Sequence, residues 1–126
     1  MKRVTGIGGI FMAAKDPVAL RAWYQKHLGV DVQSWGGAAF SWTDASGKPT
    51  GGTTAWSIGT GESFAPSKTP FMVNYRVADL AALLELLRAE GCQVLDNTDE
   101  SEFGKFAWIM DPEGNKVELW EPPPGQ

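Results

Sequence analysis

Glu118 is the residue of this chain whose type and setting best suit chemistry. It lies in a strand pattern, residues 116–120, directly after a turn signal at residues 111–115. In that turn Pro112 presets a backbone dihedral and Gly114 can adopt the left-handed conformation, which predicts a hairpin. A carboxylate buried among apolar neighbours has a raised pKa and can serve as a general base near neutral pH. Glu118 is therefore the candidate base.

Strand alternation predicts which side chains share a sheet face with Glu118. The strand at residues 72–77 should direct Val73, Tyr75 and Val77 toward a helix and its other side chains toward Glu118. An aromatic-lined pocket with few polar groups is typical of small-molecule sites. The predicted ligand-binding residues are Phe11, Trp56, Met72, Asn74, Arg76, Trp108 and Trp120, with Phe106 and Trp42 as further aromatic neighbours.

Two alternatives stay open for these residues. Arg76 could bind an anionic ligand in a planar bidentate contact, or form an ordinary cross-strand salt bridge with Glu118. The aromatic rings could line a pocket, or they could simply fill the concavity of the sheet or a dimer interface.

The elements that position these residues repeat once along the chain. Asp16-Pro17 begins a helix pattern that ends at Gly29, and Asp79 begins a second one that ends at Gly91. Each helix is predicted to follow a strand and to precede three more. These are residues 30–35, 39–43 and 53–58 in the first half, and 92–95, 105–110 and 116–120 in the second. Residues 44–52 and 96–104 are predicted loops.

The predicted fold class is α+β, with two β-α-β-β-β modules forming a curved mixed sheet around a cavity. The organisation is a single domain over residues 1–126. Module one covers about residues 4–58, a connector 59–70, module two about 71–121 and a Pro-rich tail 122–126.

Composition excludes several classes of function. The net charge of −4 without a basic run disfavours nucleic acid as a partner. The apolar run near the N-terminus is short and Gly-rich, so neither a signal peptide nor a membrane span is predicted. One cysteine in 126 residues favours a reducing compartment, and we expect a cytoplasmic protein. The six tryptophans and the apolar sheet edges suggest a homodimer.

Other reactive side chains are weaker candidates. His27 is the only histidine and should lie on the surface or the core edge at the end of the first helix. Tyr24 and Tyr75 are predicted core residues. Cys92 has no histidine nearby in sequence and is expected to be buried and inert.

Several motifs of the chain resemble those of the vicinal oxygen chelate superfamily. They are Asp16-Pro17, Trp23-Tyr24, Leu28-Gly29, the turn at residues 111–115 and Glu118-Leu119-Trp120. That superfamily groups glyoxalase I, bleomycin-resistance proteins, fosfomycin-resistance transferases and extradiol dioxygenases. The resemblance implies paired modules around a cavity that, in metal-dependent members, holds a divalent ion.

The resemblance also implies metal-ligand positions, and most of them are empty here. They fall at Gly9, at Met72 or Phe71, within residues 53–56, and at Glu118. Only Glu118 carries a suitable group, and one carboxylate is a poor ligand set for a divalent transition metal. No bound metal or other cofactor is expected.

Three functions follow as hypotheses. The first is a metal-independent protein, similar to the bleomycin-resistance branch, that binds a small planar or aromatic molecule between the modules. The second is a metal-dependent lyase, isomerase or dioxygenase that uses Glu118, with further ligands such as Asp96, Asp99 or Glu102. The third is an interaction module with a vestigial pocket. Whether the protein is an enzyme stays open at this point.

Overall fold

A computed structural model describes residues 3–126 as a seven-stranded mixed sheet with two helices. The elements are β1 Val4–Ala13, α1 Pro17–Leu28, β2 Gly37–Thr43, β3 Pro49–Gly59, a 3-10 turn Glu62–Phe64, β4 Phe71–Val77, α2 Leu80–Ala89, β5 Gln93–Ser101, β6 Gly104–Met110 and β7 Lys116–Glu121. The strand order is β2-β3-β1-β4-β7-β6-β5. The predicted α+β fold class is confirmed.

The two halves of the sheet join within the chain. β1 and β4 lie side by side at the centre and pair antiparallel, while each pairs in parallel with the last strand of its own half, β3 or β7. This arrangement places equivalent strands of the two halves on either side of a central pair. The sheet therefore offers one continuous face to the helices and one to the opposite side.

A buried core holds α2 against the second half of the sheet. Leu80, Leu83 and Leu84 of α2 pack with Ala107 and Leu119 of the sheet. Asp79 caps the helix by accepting a hydrogen bond from the Ala82 amide at 3.1 Å. Burial of the leucine stripe is the main force that fixes this helix on the sheet.

Helix α1 is attached much more loosely. It contains no buried residue, although Asp16 caps its N-terminus and Gly29 ends it in the left-handed conformation, as predicted. Trp23 and Leu28 are 50% and 62% exposed. The Arg21 guanidinium donates to the Ile58 carbonyl at the end of β3, and this contact fixes the helix to the sheet edge.

Three predicted elements differ in the structure. The predicted loop 44–52 is shorter, because β3 already begins at Pro49 and pairs with β2 from there. Residues 30–35 form no strand, because the chain turns back at Gly36 instead of pairing alongside β2. Residues 96–101, predicted as a loop, continue β5 as the outer strand of the sheet, where exposed acidic side chains are tolerated. Within residues 3–126, no helix combines the length and apolarity needed to cross a membrane.

Candidate functional site

The face of the sheet opposite the helices carries the polar residues of the candidate site. In the parallel pairing of β4 with β7, Asn74 lies beside Glu118, and in the antiparallel pairing of β6 with β7, Trp108 lies beside Glu118. Alternation therefore brings the three side chains to one point, as the sequence predicted for their common face. We call them the Glu118 triad.

Glu118 is held by two neutral N–H donors. Asn74 Nδ2 donates to Glu118 Oε1 at 2.6 Å, and Trp108 Nε1 donates to Glu118 Oε2 at 2.8 Å. Glu118 and Asn74 are only 9% and 2% exposed. The carboxylate consequently has one fixed orientation, with each oxygen keeping a lone pair for a further partner.

Burial raises the pKa of the Glu118 carboxyl above its ordinary value, because the charged form loses its hydration. The N–H bonds from Asn74 and Trp108, and the positive charge of Lys116, offset part of that rise. The group therefore keeps a proton to higher pH than a free glutamate side chain. A raised pKa makes the ionised carboxylate a stronger base than that of a free glutamate.

The raised pKa of Glu118 predicts a pH-dependent difference between wild type and Glu118→Gln. The folded state binds the extra proton, so the contribution of Glu118 to stability is greatest below the unfolded pKa and is lost as pH rises through the folded pKa. We expect the free energy of unfolding of the variant, relative to wild type, to increase across that window and then level off. Urea denaturation at fixed ionic strength measures it.

The control for this measurement is Glu90→Gln. Arg3 holds the pKa of Glu90 below its usual range, so that contribution is present above the unfolded pKa and is lost as pH falls. The two variants should show pH dependences of opposite sign. A Glu118→Gln difference that does not change with pH would contradict the assignment of a raised pKa.

A cavity of about 480 Å³ opens beside the triad, and we call it the Glu118 cavity. Its floor is formed by Phe11, Ser57, Met72 and Glu118, one from each of the four central strands, and its wall is the connector at residues 59–64. Sequence reasoning missed Ser57 and this wall. The available signal was the isolated aromatic residue of the connector, Phe64, which is buried.

A lysine fastens the connector to the sheet. Lys116 Nζ donates to the Ser63 carbonyl at 2.8 Å and lies over the Trp108 ring, 5.5 Å from its centroid. The wall of the cavity and the indole that orients Glu118 are therefore held by the same side chain. None of the salt bridges within residues 3–126 joins Lys116 to Glu118.

Arg76 is engaged away from Glu118. Its guanidinium lies between the rings of Trp42 and Trp120, at 4.7 and 5.1 Å from their centroids, and donates to the backbone oxygens of Thr53 and Gln126. No side-chain carboxylate lies within 4.0 Å of it among residues 3–126, so the suggested salt bridge with Glu118 is wrong. Burial lowers the pKa of Arg76.

Three further residues lie elsewhere than predicted. Trp56 lies on the helix face of the sheet and contacts Tyr24, 5.2 Å between ring centroids, so Ser57 takes its place in the cavity. Trp120 stacks on Phe106 and fills the sheet beside Arg76 rather than lining the cavity. Cys92 is exposed, not buried.

The donor set does not fit a divalent metal. Gly9 offers no side-chain donor and Met72 offers a thioether, so Glu118 is the only carboxylate or imidazole at these positions. Residues 3–126 contain no group of three or more His, Cys, Asp or Glu placed to hold a metal ion. The acidic residues of β5 do not supply the missing ligands.

A second recess, about 600 Å³, runs along the exposed side of α1. It is shallow, is lined by Leu20, Trp23 and Tyr24, and its one acidic residue, Asp16, caps the helix. The smaller Glu118 cavity remains the stronger candidate because it contains a buried ionisable group with a fixed orientation.

A family model described as "Glyoxalase-like domain" matches residues 9–120. That range includes all three residues of the Glu118 triad and the connector. None of the curated proteins matches the chain significantly.

Several solved structures share the fold. Methylmalonyl-CoA epimerase from Mycobacterium tuberculosis is 20% identical, with a TM-score of 0.63, and the match covers 98% of this chain and 92% of that chain. A variant of the Streptomyces coelicolor epimerase, in complex with 2-nitronate-propionyl-CoA, is 21% identical, with a TM-score of 0.68 and 98% coverage of both chains. A glyoxalase/bleomycin resistance protein/dioxygenase superfamily member from Vibrio splendidus 12B01 is 11% identical, with a TM-score of 0.56 and coverage of 89% and 95%.

Proposed function

The chain belongs to the glyoxalase-like family, and on that basis we propose that it binds a small, partly aromatic molecule in the Glu118 cavity without a resident metal. One observation carries the proposal. A single cavity combines the fixed, buried carboxylate of Glu118 with the apolar side chains of Phe11, Phe64 and Met72. Small-molecule sites usually combine apolar side chains with a few oriented polar groups. In this cavity the apolar side chains lie beside the more polar connector.

The cavity also matches the size of such ligands. Its volume of about 480 Å³ falls within the range of about 300–1,000 Å³ that is typical of ligand pockets. Phe11 and Phe64 supply aromatic side chains, and Glu118 supplies a hydrogen-bond acceptor with a fixed orientation. This composition favours a ligand that has an apolar or aromatic part and one polar group.

Filling the cavity tests the proposal. Ser57→Phe introduces a ring from the cavity floor, so we expect ligand affinity to fall by about tenfold or more through steric exclusion. The measurement is calorimetric titration with a panel of small aromatic acids, alcohols, amines and acyl-CoA thioesters. Thioesters are included because one similar structure is in complex with methylmalonyl-CoA.

The matched control is Ser41→Phe, the same substitution at an exposed position of β2 outside the cavity. It should leave affinity unchanged. The proposal fails if no member of the panel binds the wild-type protein, or if both serine variants bind a panel ligand as wild type does.

The raised pKa of Glu118 favours a second candidate, proton transfer at a carbon next to a carbonyl. Glu118 would take the proton from carbon and return it after exchange with solvent. Incubation with methylmalonyl-CoA in D₂O, after dialysis against chelator, tests this candidate by deuterium incorporation. If no Glu118-dependent exchange is detected, binding remains the only proposed function.

Two broader features belong to the same proposal. A cytoplasmic homodimer agrees with the single cysteine and with the exposed rings of Trp23, Trp35 and Phe40 in the first half of the chain. Sedimentation velocity at micromolar concentration checks the dimer, and a monomer would contradict it.

A further inference from the structure

The Glu118 cavity is acidic. Within the described part of the chain, its lining residues include two carboxylates, Glu118 at the floor and Glu62 on the connector wall, and no lysine or arginine. Glu62 is exposed and Glu118 is buried, so one carboxylate lies on the solvent-accessible wall and the other at the floor of the cavity. A molecule in the cavity therefore lies close to a carboxylate at the wall and to another at the floor.

The buried charge of Glu118 has no cationic partner among residues 3–126. The salt bridges in that range are Arg3–Glu90 and Lys105–Glu121, at 2.7 and 3.7 Å, and neither involves the cavity. Glu118 accepts hydrogen bonds from the two neutral N–H donors of the triad, and the charge of Lys116 acts on it only from beyond salt-bridge distance. Buried charges in proteins are normally paired with an opposite charge, because hydration is lost on burial.

Three cationic side chains around this part of the sheet make contacts with groups other than Glu118. Lys116 donates to the Ser63 carbonyl on the connector, and Arg21 donates to the Ile58 carbonyl. Arg76 lies between two indole rings and donates to backbone oxygens. Each of these contacts uses the cation to hold the fold, which leaves the charge of Glu118 available to a molecule from solution.

We infer that the ligand of the Glu118 cavity is a cation, an organic amine whose ammonium group binds Glu118 and whose apolar part contacts Phe11 and Phe64. The inference deepens the proposed function and rests on it. An ammonium group donates to the lone pairs that Asn74 and Trp108 leave open, and such charge-assisted bonds are the stronger ones. Glu62 adds attraction from the exposed wall, where salt screens it.

A matched set of three probes tests the charge of the ligand. The probes are 2-phenylethylamine, 2-phenylethanol and 3-phenylpropanoate, which share a ring and a chain length but carry positive, zero and negative charge at pH 7. NMR titration follows the Trp108 indole N–H signal, since that group donates directly to Glu118. We expect the amine to bind about tenfold or more tightly than the alcohol, and the propanoate to bind most weakly.

Variants assign the preference to particular residues. Glu118→Gln should reduce the preference of amine over alcohol to about twofold or less, and Glu62→Gln should reduce it by a smaller factor that diminishes at high salt. Glu100→Gln, an exposed strand position outside the cavity, should leave it unchanged. The amine should also lower the pKa of the Glu118 carboxyl, read from its carbon resonance, because a bound cation favours the charged form.

Each contrary outcome has a separate meaning. An alcohol that binds as tightly as the amine overturns the inference and leaves the proposed function standing. The inference is also overturned if none of the three probes shifts the Trp108 indole N–H signal. The proposed function itself fails only on the broader panel, where no ligand of any charge binds or the serine variants bind as wild type does.

Discussion

Gly8→Ala should lower the free energy of unfolding by about 2 to 4 kcal/mol, combining overpacking with a lost hydrogen bond to a charged group. A Cβ at this position would lie 2.1 Å from Asn74 Oδ1 and 2.8 Å from Trp120 Cε3. β1 advances two residues, from Ile7 to Gly9, while β4 advances one, so Gly8 is the extra residue of a β-bulge beneath the Glu118 triad. The measurement is urea denaturation.

The same substitution should also alter the site. An Asn74 side chain displaced by the new methyl group can no longer donate to Glu118, and the pKa of Glu118 should rise further. Carboxyl carbon NMR detects this change. Adding Asn74→Ala removes the closest clash, so the double variant should be more stable than the sum of the single effects predicts.

Gly59→Ala is the control for backbone effects. A Cβ there meets nothing within 4 Å, and its φ lies outside the left-handed region. Its stability should stay within about 1 kcal/mol of wild type. Equal losses at Gly8 and Gly59 would mean that β1 has no special requirement for glycine beneath the triad.

Leu83→Ala should lower the free energy of unfolding by about 3 kcal/mol, within the range for removing a buried leucine side chain. Leu83 is 3% exposed and belongs to the core between α2 and the sheet. The substitution loses the transfer free energy of the side chain and leaves a void in packed surroundings. Chemical denaturation measures the change in midpoint, with the slope checked for constancy.

Leu28→Ala, on α1, is the matched control. Leu28 is 62% exposed, so stability should change by no more than about 0.5 kcal/mol. The contrast would establish that the two helices contribute unequally to the free energy of unfolding, although their sequence patterns are alike. Similar losses in both would show that α1 is packed more firmly than its exposure indicates.

Much of the fold could be predicted because its signals are local. Asp16 and Asp79 cap their helices, and Asp111 accepts the backbone N–H groups that close the hairpin before β7. The prediction of a strand at residues 30–35 was wrong. An alternating pattern does not show whether a partner strand is available for pairing. The extension of β5 was missed because acidic residues disfavour strands in general but suit an outer edge.

The site was predicted in part, and the misses have a common cause. Alternation within three strands placed Glu118, Asn74 and Trp108 on one face. Trp56 was predicted to line the pocket without any alternation fixed for its strand, and the neighbouring Ser57 is the residue on that face. The bulge at Gly8 and the role of the connector depend on tertiary contacts that periodicity does not encode.

The connector that walls the Glu118 cavity has a consequence for how such proteins diversify. Its residues 60–64 contact the cavity, yet the chain there lies outside the strands of the sheet and is fastened to β7 by Lys116. Substitutions in this loop can reshape the cavity without cost to strand pairing or to the leucine core. Exchanging the loop between relatives is thus a direct route to new selectivity on an unchanged scaffold.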